Sequence, residues 1–253
     1  MFKISAIPAL SDNYIWALHN DQCSAVVDPG EALPVLNFLS SRNLQLSCIL
    51  CTHRHSDHVG GIAELREVYS VPVYGRQHPN NPHITHDLHE GDKLCLDLFG
   101  IDFSIMEIPG HLNDHIAYLA PEALFCGDVL FGAGCGRNFE GSISQLHDSL
   151  QRLASLPDNT KVYCAHEYTE ANLRFALACE PSNADLKQRV VDTRKLRAAD
   201  LPSVPSTIGL EKTTNPFLRC KQPEIVHTLQ QRGLDDDSEL GAFTFLRAWK
   251  NHF

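Results

Sequence analysis

The sequence contains no apolar run long enough to cross a bilayer, and its first eight residues lack the basic start and apolar stretch of a secretory signal. Both absences lead to the expectation of a soluble, cytosolic enzyme. Cations are scarce as well: 21 lysines and arginines stand against 31 aspartates and glutamates, a formal net charge of −10. With no surplus of positive charge to displace the counterions of a nucleic acid, neither nucleic acid nor membrane is an expected partner. An anionic small-molecule substrate would need a local basic patch. No repeat of solenoid length and no low-complexity segment is present.

An even, regularly spaced cysteine framework is also missing. Nine cysteines, an odd number, are scattered from Cys23 to Cys220, so they are expected to be reduced. Cys48 and Cys51 form a C-x-x-C, but they lie in an apolar run that reads as a buried strand. Residues three apart on a strand point to opposite faces, which argues against shared metal or redox work.

What is present is a mixture of short β-rich runs, glycine turns and helical patterns, an α/β texture at a length of 253 residues that fits a large domain with a small one. Strands are expected at residues 2–7, 14–18, 24–27, 47–51, 71–74, 103–108, 116–119, 124–126 and 161–164. Helices are expected at 31–40, 58–69 and 142–156, the last capped at Gly141 or Ser142. After Tyr168 no strand is expected. Residues 169–179, 183–197, 223–232 and 238–250 suit helices, with an irregular proline-rich crossing at 201–209. The division is therefore 1–168 and 169–253, the second part a small all-α domain.

The densest chemistry lies between Thr52 and Gly61, where His53, His55, Asp57 and His58 fall within six positions. If the segment leaves a strand and turns into a helix, His53 and His55 share one face and can meet one ion, while Asp57 and His58 meet a second. Three later segments, Pro109-Gly110-His111, Cys126-Gly127-Asp128 and Cys164-Ala165-His166, each place one strong ligand just after a β-like run. Spacing alone does not assign these residues to ions. His115 is expected to support the site through hydrogen bonds, and the histidines at 78, 83, 86 and 89 to occupy an exposed loop.

This order of ligands resembles the metallo-β-lactamase superfamily, whose signature is His-x-His-x-Asp-His followed by separate His, Asp and His ligands. The resemblance implies an αββα sandwich carrying the site at one edge. It also implies two ions, one held by His53, His55 and His111 and the other by Asp57, His58 and His166, with Asp128 bridging. Arg54 and Ser56 fill its variable positions. Leu112 stands where a threonine is frequent, so a hydrogen bond beneath the site is lost or supplied elsewhere. Nitrogen and oxygen donors without thiolate accept zinc, iron or manganese with little geometric discrimination, so the donors do not choose the ion; two divalent ions are expected, zinc before iron or manganese.

Further segments resemble one branch of that superfamily, the glyoxalase II or hydroxyacylglutathione hydrolase family. They are Asp12-Asn13-Tyr14-Ile15-Trp16, Asp28-Pro29-Gly30-Glu31, Gly134-Cys135-Gly136-Arg137, Phe139-Glu140-Gly141, His166-Glu167-Tyr168-Thr169 and Thr214-Asn215-Pro216-Phe217-Leu218-Arg219. The resemblance implies hydrolysis of S-D-lactoylglutathione to glutathione and D-lactate, by a metal-bridging hydroxide that Asp57 helps to orient. Glutathione contacts are implied for Arg137 and Tyr168. Phe139 replaces a tyrosine found in other members, at the cost of one hydrogen bond. Arg247 and Lys250, three apart on a helix, share a face and can grip a carboxylate together. The expected form is a monomer. The alternatives are a mononuclear iron glutathione persulfide dioxygenase, against which the complete second ligand set argues, and a non-catalytic metal-binding protein.

Overall fold

Strand after strand in the first third is apolar on both faces, which fits the middle of a covered sheet and not an exposed one. The computed structural model describes residues 2–253. These divide into two compact units, one running up to Ile108 and resuming at Asp114–Gly127, the other made of Pro109–Asn113 and Asp128–Phe253.

In the first unit, β1 (Lys3–Ala9), β2 (Asn13–His19), β3 (Cys23–Val27), α1 (Ala32–Arg42), β4 (Gln45–Leu50), α2 (Ser56–Val59), α3 (Ile62–Val68), β5 (Val73–Gly75) and β6 (His86–Asp87) follow one another. The sheet order is β1-β2-β3-β4-β5-β6, antiparallel through β3 and parallel thereafter. Val35 and Leu39 of α1 and Ile62 and Leu65 of α3 bury against Val26, Ile49 and Val73, forming one apolar core. The same unit continues with β7 (Lys93–Leu96), β8 (Ile101–Glu107), β9 (Ile116–Ala120) and β10 (Ala123–Gly127), antiparallel in the order β10-β9-β8-β7. Phe103 meets Tyr118 and Phe125 edge to face among these strands.

The expected helix at 58–69 is two helices. Gly60 and Gly61 interrupt it because Gly61 presses against the Asp28–Glu31 turn: its N–H donates to Pro29 O at 2.9 Å, and a Cβ there would lie 2.5 Å from Ala32 N.

The second unit opens with the hairpin of β11 (Leu130–Phe131) and β12 (Gly134–Cys135). It continues with α4 (Ile143–Ala154), β13 (Lys161–Cys164), α5 (Thr169–Cys179), α6 (Ala184–Ala198), β14 (Ser206–Thr207), α7 (Ile208–Thr214), a 3₁₀ turn (Pro216–Leu218), α8 (Pro223–Gln230) and α9 (Glu239–Asn251). Ser142 caps α4, accepting from Gln145 N while the Gln145 side chain accepts from Ser142 N. Two departures from expectation fall at 201–209: this crossing contains β14, a strand beyond Tyr168, which pairs antiparallel with β13, and α7 begins before it ends. Two-residue strands such as β6, β11, β12 and β14 are too short to show a period. β7, by contrast, alternates exposed and buried residues and was open to recognition.

A buried network fastens the β11–β12 hairpin. Glu211 on α7 accepts from Ala133 N at 2.8 Å and from Arg189 Nη2 at 2.6 Å, and Asn215 donates to Gly134 O at 2.9 Å. This explains why an asparagine stands before Pro216: the side chain caps the 3₁₀ turn through Phe217 N and ties it to the hairpin.

Candidate metal centre

β4 ends at Leu50, so His53 and His55 lie in the loop that precedes α2 and not on a strand. Strand alternation therefore does not pair them, a correction to the sequence reading. The turn of the loop brings the rings together edge to face, with His53 Nε2 3.0 Å from His55 Nδ1. Asp57 and His58 occupy the first turn of α2 as expected, and Asp57 Oδ2 lies 3.4 Å from His58 Nε2.

Beside these candidate ligands sits Asp28, whose role the sequence did not reveal. Thr52 donates to it twice, through N to Oδ1 and through Oγ1 to Oδ2, both at 2.7 Å. His58 Nδ1 lies 3.0 Å from the same Oδ2. Because a carboxylate only accepts, His58 carries its proton on Nδ1 and turns the Nε2 lone pair outward. Thr52 has spent its single hydrogen on Asp28, so His53 Nδ1, 3.1 Å from Thr52 Oγ1, must also be the donor. One buried aspartate thus sets the tautomers of two histidines. His115 stacks on His53 with centroids 4.6 Å apart, and its Nδ1 lies 3.1 Å from Ile116 O.

In the second unit, His111 Nδ1 donates to Arg137 O at 2.7 Å, which again presents Nε2. Leu112 beside it is buried and brings no side-chain hydrogen bond of its own. Asp128 divides its two oxygens: Oδ2 lies 3.6 Å from His111 Nε2 and Oδ1 lies 3.3 Å from His166 Nε2.

These separations test whether the donors suit a cation. Two ligands about 2.0–2.1 Å from a tetrahedral ion lie roughly 3.3 Å from each other. The His53–His55, Asp57–His58, Asp128–His111 and Asp128–His166 pairs fall at 3.0, 3.4, 3.6 and 3.3 Å. Nitrogen and oxygen donors at such spacing, most of them buried, fit divalent metal.

Residues 10–166 match the family described as "Metallo-beta-lactamase superfamily", and residues 167–253 match "Hydroxyacylglutathione hydrolase C-terminus". The hydroxyacylglutathione hydrolase of Nitrosomonas eutropha is 48% identical over 254 residues, covering all of both chains. Hydroxyacylglutathione hydrolase 2 of Vibrio vulnificus is likewise 48% identical with full coverage of both. The chain belongs to the hydroxyacylglutathione hydrolase family. Among solved structures, ETHE1 from Myxococcus xanthus is similar at 25% identity and a TM-score of 0.64, covering 99% of each chain. TTHA1623, determined in a di-iron-bound form, is similar at 27% identity and a TM-score of 0.60, covering 85% of this chain and all of that one. The fold is the α/β sandwich of the superfamily with a small helical C-terminal domain.

The substrate-contact residues expected of the hydrolase all fall in its second unit. Tyr168 stacks on His166 at 4.6 Å, nearly parallel, and Phe139, 62% exposed, stands edge-on to His111 at 5.2 Å. Lys250 is half-buried on α9, its Nζ 5.4 Å above the Phe175 ring. Burial, and after it the charges of Arg247, Arg174 and Arg137, holds its ammonium below the ordinary lysine range. Arg247 is only 4% exposed and is no solvated helix end: Nη1 donates to Cys135 O at 2.7 Å, while buried Nε has no hydrogen-bond partner among the described residues. Arg54 pairs with Asp114. Among the described residues, none of the histidines at 78, 83, 86 and 89 joins a group of three close metal donors.

Proposed function

We propose that this hydrolase cleaves S-D-lactoylglutathione, and S-2-hydroxyacylglutathione thioesters generally, to glutathione and the hydroxy acid, as the second step of methylglyoxal detoxification. His53, His55 and His111 would hold one divalent ion and Asp57, His58 and His166 the other, with Asp128 shared. The observation that carries this reading is the divided carboxylate of Asp128, whose two oxygens face two different histidines. Such an arrangement serves two ions better than one. Zinc is the favoured metal, with iron or manganese accepted by the same donors.

When bound, a pair of divalent cations brings the pKa of a water to about 7 and polarises the acyl oxygen of the thioester. The chain's own residues do the rest. Asp28, Thr52 and Arg137 O hold three imidazoles in the tautomer that offers Nε2. Asp57 accepts a hydrogen bond from the attacking water and so aims its lone pair at the carbonyl carbon. The departing thiol ionises at about 8.5, so it leaves as thiolate without a dedicated proton donor.

Arg137, Tyr168, Arg247 and Lys250 would hold the tripeptide, with Phe139 against it through its ring. Among the described residues no carboxylate pairs with Lys250 or Arg137, and the buried Nε–H of Arg247 still calls for an acceptor. A glutathione carboxylate answers both needs. We assign catalysis to residues 1–168 and glutathione binding to 169–253 together with Arg137, Phe139 and Tyr168 of the first part, with the join of the two family matches at 166 and 167 in support. A monomer in the cytosol is part of the same proposal, and among the described residues no helix is long and apolar enough to cross a membrane.

Incubating metal-replete protein with S-D-lactoylglutathione and following loss of thioester absorbance tests the reading. Turnover is expected, along with two metals per chain in protein purified without chelator. No turnover, or one iron per chain with oxygen consumption on glutathione persulfide, would replace it.

A further inference from the structure

Asn13 opens β2, is buried to 6% exposure, and turns its side chain toward a residue 44 positions away. Its Nδ2 donates to Asp57 Oδ2 at 3.1 Å and lies 3.4 Å from the carbonyl oxygen of the same residue. The Asp57 side chain is 33% exposed, against 0% for His58 beside it, and α2 is a helix of four residues. A carboxylate so placed has room to swing toward solvent, and ordering it has a cost in rotamer freedom.

We propose that Asn13 is the positioning residue of Asp57. Its amide holds Oδ2 next to His58 Nε2 and so fixes the direction in which the carboxylate meets the second ion and the attacking water. This rests on the reading of Asp57 as a metal ligand. An amide suits the task because it is neutral: it donates to the carboxylate without competing for the cation and leaves the negative charge in place. A carboxylate at position 13 would instead set two anions 3.1 Å apart.

The surroundings brace this amide. Asn13 pairs with Ala9 where β1 and β2 join, and the N–H of Leu10 in that turn donates to Glu31 Oε2 at 2.6 Å. Glu31 follows Gly30, at which a Cβ would meet Asp57 O at 1.9 Å. The Asp12-Asn13-Tyr14 and Asp28-Pro29-Gly30-Glu31 segments therefore converge on Asp57, from the side chain and from the backbone.

The test compares wild type with N13A, N13D and N13Q by metal content per chain, the visible spectrum of cobalt-substituted protein, and kcat against KM. For N13A, the second metal should be lost at limiting supply, the cobalt spectrum should change, and kcat should fall about 10–100-fold with KM nearly constant. N13D, of the same shape, should do the same, whereas N13Q, which keeps an amide, should recover part of kcat and of the spectrum. Should N13A fail to fold, N13D decides. Two metals, an unaltered cobalt spectrum and wild-type kcat in N13D would overturn the proposal. A wild-type protein that binds one metal or does not turn over the thioester would instead overturn the two-ion reading on which it rests.

Discussion

Asp28 Oδ2 stands 3.0 Å from His58 Nδ1, with both side chains buried. The pair fixes an imidazole from behind, and its chemistry is directional. Asp28 has φ 54, a conformation that asparagine accepts, so Asp28→Asn keeps the backbone but presents an N–H where the histidine needs an acceptor. The imidazole then carries its proton on Nε2. Metal affinity is expected to fall about 10–100-fold, measured by competition with a chromophoric chelator. Unchanged affinity would show that the tautomer of His58 is set elsewhere.

Gly110 precedes His111 with φ 141, and a Cβ there would lie 2.4 Å from Leu146 Cα on α4. Gly110→Ala faces backbone strain of about 1–3 kcal/mol and overpacking of about 1–3 kcal/mol. The urea midpoint should drop at constant m, and metal content should fall because His111 is displaced. A variant as stable as wild type would mean that α4 yields readily.

Arg247 and Lys250 share a helix face but should respond differently to substitution. Arg247→Ala strands the carbonyls of Cys135 and Gly136 and should lower stability by about 1–3 kcal/mol. Lys250→Met should leave stability near wild type and raise KM roughly tenfold, the loss of one charge-assisted hydrogen bond. Equal loss of stability in both would refute this division.

The pH dependence of stability carries a signature of Lys250. Its folded pKa is lowered, chiefly by burial, so between that value and the ordinary lysine value near 10.4 the unfolded chain binds the proton more. Stability contributed by this group therefore rises with pH through that window and is flat below it, where both states are charged. Urea titrations across the alkaline range should show the slope, and Lys250→Met should remove it.

Cys95 alone among the nine thiols is exposed, and it faces Asp102 across the β7–β8 pair. Its hydrogen bond to Asp102, followed by the charge of that carboxylate, raises its pKa, while burial pushes Cys48 and Cys164 up to about 12. Native protein at mild pH should release one equivalent of colour with a thiol-reactive disulfide, and Asp102→Asn should hasten it. Several fast equivalents would contradict the burial of the others.

Much of this was legible in the sequence because periodicity and ligand chemistry are local. The helix expected at 169–179 is α5 to the residue, and the order of the six candidate ligands after His53 needs no coordinates to notice. The pairing of His53 with His55 was expected for the wrong reason, since a loop and not a strand brings them together. Asp28, Asn13, Glu211 and Asn215 were visible as residues but not as roles, because their partners lie 30, 44, 78 and 81 positions away. Nor does helical spacing tell that Arg247 spends its Nη1 on a main-chain carbonyl.

The hairpin of β11 and β12 hangs from Glu211, Asn215 and Arg247, three side chains contributed after residue 205. The carboxyl-terminal helices are consequently not a detachable cassette. A chimera that grafts them from another family member must bring residues 128–137 with them, or the strand pair bearing Cys135 will arrive among strangers and lose its moorings.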